Sequence, residues 1–199
     1  MKPPPSPAGL ETALRFILEC EKLKGIERRT KVVGLPRREN SAEHSWSLAL
    51  MAMTLVPAVD PALDLLRVLK MLILHDIVEI DAGDTFCYGD QSAKAGLEEA
   101  AATRIFGLPD AERGREFREL WEEFEAKQTQ EAKFANAMDR LLPLLQNHAN
   151  GGGSWIEYGV TLDQVESRNG IVGEVSPELG KILSRLLAEA EAQGWLARD

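Results

Sequence analysis

Apolar residues recur at helical spacing along most of this chain, and the strict alternation of a half-buried strand is almost absent. Leu10, Leu14, Ile17 and Leu18 form a first stripe that runs to about Leu23, with Gly25 closing the helix. A second helix, capped by Ser41, carries Glu43, His44, Leu48 and Met51 and stops before Pro57. Asp60-Pro61 predicts the start of a third, which runs through Leu65, Leu69 and Leu72 to His75-Asp76, with Gly83 as its stop. Further helices are predicted from Gln91 to Gly107, Asp110 to Lys127 and Thr129 to about Asn150. Gly151-Gly152-Gly153 is the clearest flexible break, and two terminal helices follow it, Leu162 to about Asn169 and Ser176 to Gly194. The pattern predicts an all-α bundle of seven or more helices, with no internal repeat and no second domain.

The totals then narrow the setting. At 199 residues the chain is long enough to bury a core without disulfides or metal staples. Cys20 and Cys87 lack CxxC spacing, so a reducing, cytoplasmic compartment is expected in place of a disulfide framework. No apolar run reaches the roughly 20 residues that span a bilayer. Met1 to Pro7 lacks the apolar centre of a signal peptide and reads as a short disordered lead. A formal net charge of −9 weighs against a nucleic-acid partner, which calls for a basic face to displace counterions. A small anionic substrate stays compatible if cations are held locally, by a metal or by Arg28-Arg29 and Arg37-Arg38.

Candidate chemistry gathers where the third helix ends. His75 and Asp76 follow the apolar run Val68 to Leu74, His44 follows Glu43 upstream, and Asp139 interrupts the inward face made by Phe134, Ala135, Met138, Leu141, Leu142 and Leu145. Neutral imidazoles and ionised carboxylates hold hard or borderline divalent cations, so His44, His75, Asp76 and Asp139 read together as one dispersed metal site. A histidine beside an apolar run is more often a hydrogen-bonded core residue, but the adjoining Asp76 shifts the balance, because a carboxylate there needs a partner. Glu79 falls one turn beyond the pair and Asp84 ends the element. His148 lies roughly 180° around the helix from Asp139 and is not expected to reach the ion. Metal-assisted hydrolysis is the leading reading.

In this order and spacing, the set resembles the HD-domain metal-dependent phosphohydrolases. Arg38-Glu39-Asn40-Ser41-Ala42-Glu43-His44-Ser45, followed by His75-Asp76, Glu79 and Gly83-Asp84, is similar to the bacterial 5′-deoxynucleotidases and their eukaryotic relatives. Leu120 to Glu125, leading into Glu131-Ala132-Lys133-Phe134 and Asp139, is like the eukaryotic branch. The resemblance implies an HD-type domain over residues 9–150, after a lead over 1–8, with 151–199 a helical extension packed on it. It implies one divalent cation (Mn, Co, Fe, Zn or Mg) held by His44, His75, Asp76 and Asp139. Glu79 becomes the catalytic carboxylate, Asp84 a second acid that positions substrate and water, and Arg29 a substrate-binding cation. A nucleoside 5′-monophosphate is the implied substrate and a homodimer the implied assembly. The bacterial enzymes carry an aromatic residue after that arginine where this chain has Thr30, which keeps other small phosphorylated metabolites in view. A metal-binding regulatory module is the reading from a different class, and the presence of Glu79 and Asp84 weighs against it. Trp155 and Tyr158 are expected to pack in the core or an interface.

Overall fold

The structure, a computed structural model, describes residues 7–85, 87–88 and 93–198. In chain order these form α1 (Pro7–Cys20), a 3-10 turn (Glu21–Gly25), β1 (Glu27–Lys31), β2 (Arg38–Asn40), α2 (Ser41–Val59), α3 (Leu65–Leu74), α4 (Glu79–Ala82), α5 (Lys94–Ile105), α6 (Ala111–Ala126), α7 (Gln130–Ala149), α8 (Gly153–Tyr158), α9 (Leu162–Val175) and α10 (Pro177–Ala192). The expected all-helical class holds. The lead expected over 1–8 lies outside the described residues except for Pro7 and Ala8, which open α1, and the predicted helix start at Gln91 also lies outside them.

Helix α7 is the axis of the bundle. It packs against α2, α3, α6, α8, α9 and β1, and its Phe134, Ala135, Met138, Leu141 and Leu144 are buried. Helices α2 and α3 pack on each other and on α7, and α10 covers α9. Three of the helices that carry the candidate ligands are thus mutually in contact.

Several element ends differ from the sequence pattern for identifiable reasons. Asn40, not Ser41, caps α2: its side chain accepts from the Glu43 N–H while Glu43 reaches back to the Asn40 N–H, a reciprocal capping box. The helix runs past Pro57 to Val59, since the proline sits in the last turn and the Asp60 N–H still bonds to the Val56 carbonyl. Asp60 is occupied in a turn, accepting from the Ala62 N–H, and Asp64 caps α3 in its place by accepting from the Arg67 N–H. Beyond Leu74 the ladder tightens to three-residue spacing, Ile77 to Leu74 and Glu79 to Asp76, so a turn separates α3 from the short α4. The first stripe also turns out differently: Leu10, Leu14, Ile17 and Leu18 are exposed, and Phe16 is the α1 residue buried against the core.

Two short strands, β1 and β2, pair antiparallel and were not legible in the pattern. The glycine triplet is a formed turn and not a loose break. All three glycines have positive φ, and a Cβ on Gly152 or Gly153 would come within 2.6 Å of Ile156 Cδ1 or Asn147 Oδ1. Asn147 Oδ1 accepts from both the N–H and the hydroxyl of Ser154, which locks the start of α8 onto α7.

Candidate metal centre

Three elements and one turn converge on a single point. The capping box fixes the first turn of α2 so that His44 faces inward, His75 closes α3, Asp76 occupies the turn beyond it, and Asp139 projects from the inner face of α7. His44, His75 and Asp76 offer ligand atoms within 4.8 Å of one another. Asp139 Oδ1 lies 3.0 Å from His44 Nε2 and 3.8 Å from His75 Nε2. All four sequence-predicted ligands are therefore brought together, with His44, His75 and Asp76 buried and Asp139 half-buried.

The imidazoles are oriented as ligands need to be. His75 Nδ1–H donates to the Leu72 carbonyl at 2.9 Å, which leaves the Nε2 lone pair facing the cluster. That Nε2 is buried and lacks a hydrogen-bond partner; Asp76 Oδ1 is 3.0 Å away without hydrogen-bond alignment. A buried nitrogen left unpaired is costly unless something else occupies its lone pair. On the far side of the other ring, His44 Nδ1 is 3.4 Å from Glu39 Oε1, the outer-carboxylate arrangement common behind metal-bound histidines. Two such nitrogens beside two carboxylates fit a divalent cation.

The charges in this cluster act strongly on one another. Burial alone lowers the His75 pKa, but the Asp76 charge and the Asp139 contact outweigh it and raise it to about 10. Asp76 is raised by burial and lowered further by His75 and Arg28, to about 2. Asp139 is held well below the usual carboxylate range despite burial, through His44 and His75. Glu79 goes the other way: burial, then the neighbouring Asp76 charge, push it up to about 8, against the pull of Arg28. Ser41 donates its hydroxyl to Glu79 Oε2 at 2.6 Å, so the residue expected to cap a helix instead holds this carboxyl. Asp84 is also raised, mainly by burial.

The arginine among these acids is Arg28. Its Nη1 donates to Asp76 Oδ2 at 2.9 Å and lies 3.8 Å from Asp84, while its Nε is 3.4 Å from Glu39 Oε1. Arg29, the position singled out from the sequence, is exposed at the cavity rim, 5.7 Å from the Tyr158 ring centre. Sequence reasoning missed Arg28 as the inward cation, and Glu39, which is buried and also accepts from Gln146 Nε2 at 2.6 Å. The available signal was strand periodicity: in β1, Arg28 and Thr30 share the inner face and Arg29 the outer. His148 is remote from the cluster and contacts Glu189 at 3.2 Å.

A cavity of about 290 Å³ opens over the cluster. His75, Asp76, Asp139, Glu79, Asp84 and Thr30 line it. Trp155 and Asn169, from beyond the glycine turn, complete its far wall, and Trp155 is fully buried in the core as well.

The chain matches the HD domain family over residues 20–180. It is 31% identical over 144 residues to the 5′-deoxynucleotidase HDDC2 of Mus musculus, covering 71% of this chain and 69% of that protein. It is 30% identical over 142 residues to the protein of the same name from Dictyostelium discoideum, covering 67% and 74%. Among solved structures, a predicted metal-dependent phosphohydrolase from Magnetospirillum magnetotacticum superposes with a TM-score of 0.92 at 44% identity, covering 97% of this chain and 98% of that one.

Proposed function

The chain belongs to the HD domain family and is a hydrolase of its metal-dependent phosphohydrolase type, and from that premise we propose that it removes phosphate from nucleoside 5′-monophosphates, deoxyribonucleotides included. The observation that carries the reading is the convergence of His44, His75, Asp76 and Asp139 beneath a cavity, with His75 Nε2 buried and unpaired. These four side chains would hold one divalent cation. Such an ion, when bound, lowers the pKa of a water and offsets charge on a phosphoryl group. Arg28, among Asp76, Glu39 and Asp84, supplies the fixed positive charge that a substrate anion needs in a chain of net charge −9. Glu79, held by Ser41 and carrying a raised pKa, is suited to pass a proton while the water oxygen joins phosphorus and the P–O5′ bond breaks. Asp84 beside Arg28 completes the polar wall where water and substrate are positioned.

The segment after Gly151 is read as part of the same catalytic unit, because Trp155 and Asn169 wall the cavity. A homodimer is proposed from the exposed apolar stripe Trp46, Leu50 and Met53 on α2. A reducing, cytoplasmic setting agrees with Cys20 and Cys87 both being free, and no described helix is long and apolar enough to cross a membrane. A second reading, another small phosphorylated metabolite as substrate, is favoured by Thr30, a small residue in the cavity wall. Phosphate release from dAMP, AMP and a sugar phosphate, with and without added Mn²⁺, separates the readings. Release from dAMP that requires metal supports the nucleotidase. Turnover of the sugar phosphate alone overturns it.

A further inference from the structure

The cavity does not end over the metal cluster. At about 290 Å³ it falls at the lower edge of the roughly 300–1,000 Å³ range of ligand pockets. It continues into a wider recess of about 710 Å³, and Cys87, Tyr88, Lys127, Asn136, Arg140 and Arg168 line both spaces. Three of these six are cations from three separate elements: Lys127 just after α6, Arg140 on α7 and Arg168 on α9. Among the described residues that line the outer recess, Asp163 is the carboxylate beside them.

Among the described residues that line the outer recess, cations outnumber carboxylates. Lys127 and Arg168 enter no ion pair among the described residues. Arg168 lies over the Tyr88 ring, 5.9 Å from its centre, which holds the guanidinium at the wall. Arg140 Nη1 is 3.8 Å from Asp139 Oδ2, so its charge joins the metal cluster to the recess. Lys127 is the left-handed C-cap of α6, φ +55°, and so stands where that helix ends at the recess. In a protein of net charge −9, three cations lining one recess, with Asp163 the carboxylate among its described lining residues and Asp139 beside Arg140, make a local anion site.

We infer that this recess binds a second anionic group of the substrate, making nucleotides with two separate phosphates a preferred class: one phosphate meets the metal cluster, and Lys127, Arg140 and Arg168 hold the other. The hydrolytic half rests on the phosphomonoesterase reading, whereas capture of the second phosphate does not. For a nucleoside 3′,5′-bisphosphate, the water oxygen joins the 5′ phosphorus, the P–O5′ bond breaks and O5′ takes a proton. The 3′ ester is untouched, so the products are inorganic phosphate and the nucleoside 3′-phosphate.

Calorimetric titration of metal-loaded Glu79→Gln protein, chosen to slow turnover, compares 2′-deoxyadenosine 3′,5′-bisphosphate with dAMP. One added charge-assisted hydrogen bond at a solvent-open site corresponds to about tenfold tighter binding of the bisphosphate. Adding Arg168→Gln, or separately Lys127→Gln, is expected to shrink that preference to about twofold or less, with the helical circular dichroism retained. Equal affinity for the two ligands, or a preference that survives both substitutions, overturns the inference. If wild-type protein releases phosphate from neither compound while the preference and its loss persist, the phosphomonoesterase reading fails and the anion site stands.

Discussion

His75 carries the most demanding arrangement in the site, since one ring nitrogen is committed to the Leu72 carbonyl and the other is buried without a hydrogen bond. His75→Ala is therefore expected to abolish metal binding and phosphate release together. Glu79→Gln, which keeps the shape and removes the proton-carrying group, should retain the metal and lose about 10²- to 10⁴-fold in kcat. Metal content by elemental analysis beside kcat distinguishes the two, and a metal-loaded Glu79→Gln with parental kcat would remove Glu79 from the chemistry. The raised His75 pKa adds a pH prediction. Because the metal-free folded value, about 10, lies above the ordinary 6.5, the ion-paired imidazolium stabilises the metal-free fold fully below pH 6.5, and that contribution is lost as pH rises through 10. A metal requires the bare nitrogen, so uptake at pH 7 should release about one proton and affinity should climb with pH. Titrations in buffers of different ionisation enthalpy count that proton; finding none would mean that His75 is already neutral.

The β1–β2 hairpin decides which arginine serves the site. Alternation along Glu27–Lys31 turns Arg28 in and Arg29 out, and Arg28 meets Asp76, Glu39 and Asp84. Arg28→Ala leaves those buried carboxylates without their cation, a loss of about 3–5 kcal/mol when one member of a buried pair is removed. We expect a lower Tm and a large fall in kcat/KM for Arg28→Ala. Arg29→Ala should raise KM only a few-fold, the return of an exposed charge. Comparable kinetic damage from the two would contradict the register argument. The same hairpin shows what the sequence could and could not disclose. The long helices, their Thr129, Asp110 and Ser176 caps and the four cluster residues were legible, because apolar period and ligand chemistry are local signals. Glu27-Arg28-Arg29-Thr30-Lys31 has no apolar alternation, so its strand period is written only in polar residues whose burial depends on α7 and α8. Gly151 to Gly153 looked like a break because glycine marks both slack chain and left-handed turns, and only the Asn147–Ser154 bonds distinguish them.

Across the whole molecule, the core is continuous from Phe16 to Leu196 and is built from apolar side chains that do not depend on an ion. Chelation is accordingly expected to remove activity while leaving the helical signal. What that core leaves uncovered is more informative about assembly. On α2, Trp46, Leu50 and Met53 are 68%, 50% and 55% exposed at helical spacing, and from Ser45 to Val59 the helix carries no charged residue. Large aromatic and aliphatic side chains clustered on one exposed face mark an association surface. With a net charge of −9, two copies repel wherever acidic surfaces meet, which favours this uncharged stretch over the exposed apolar residues of α1, where Glu11, Arg15 and Glu19 intervene. A two-fold contact would set each copy's stripe against the other's, burying Trp46 as its anchor. Sedimentation equilibrium is expected to give a dimer for the parent chain, and Leu50→Glu, which places like charges in the contact, should give a monomer with unchanged circular dichroism. A parent chain that sediments as a monomer at micromolar concentration, or a Leu50→Glu variant that stays dimeric, would move the interface off α2.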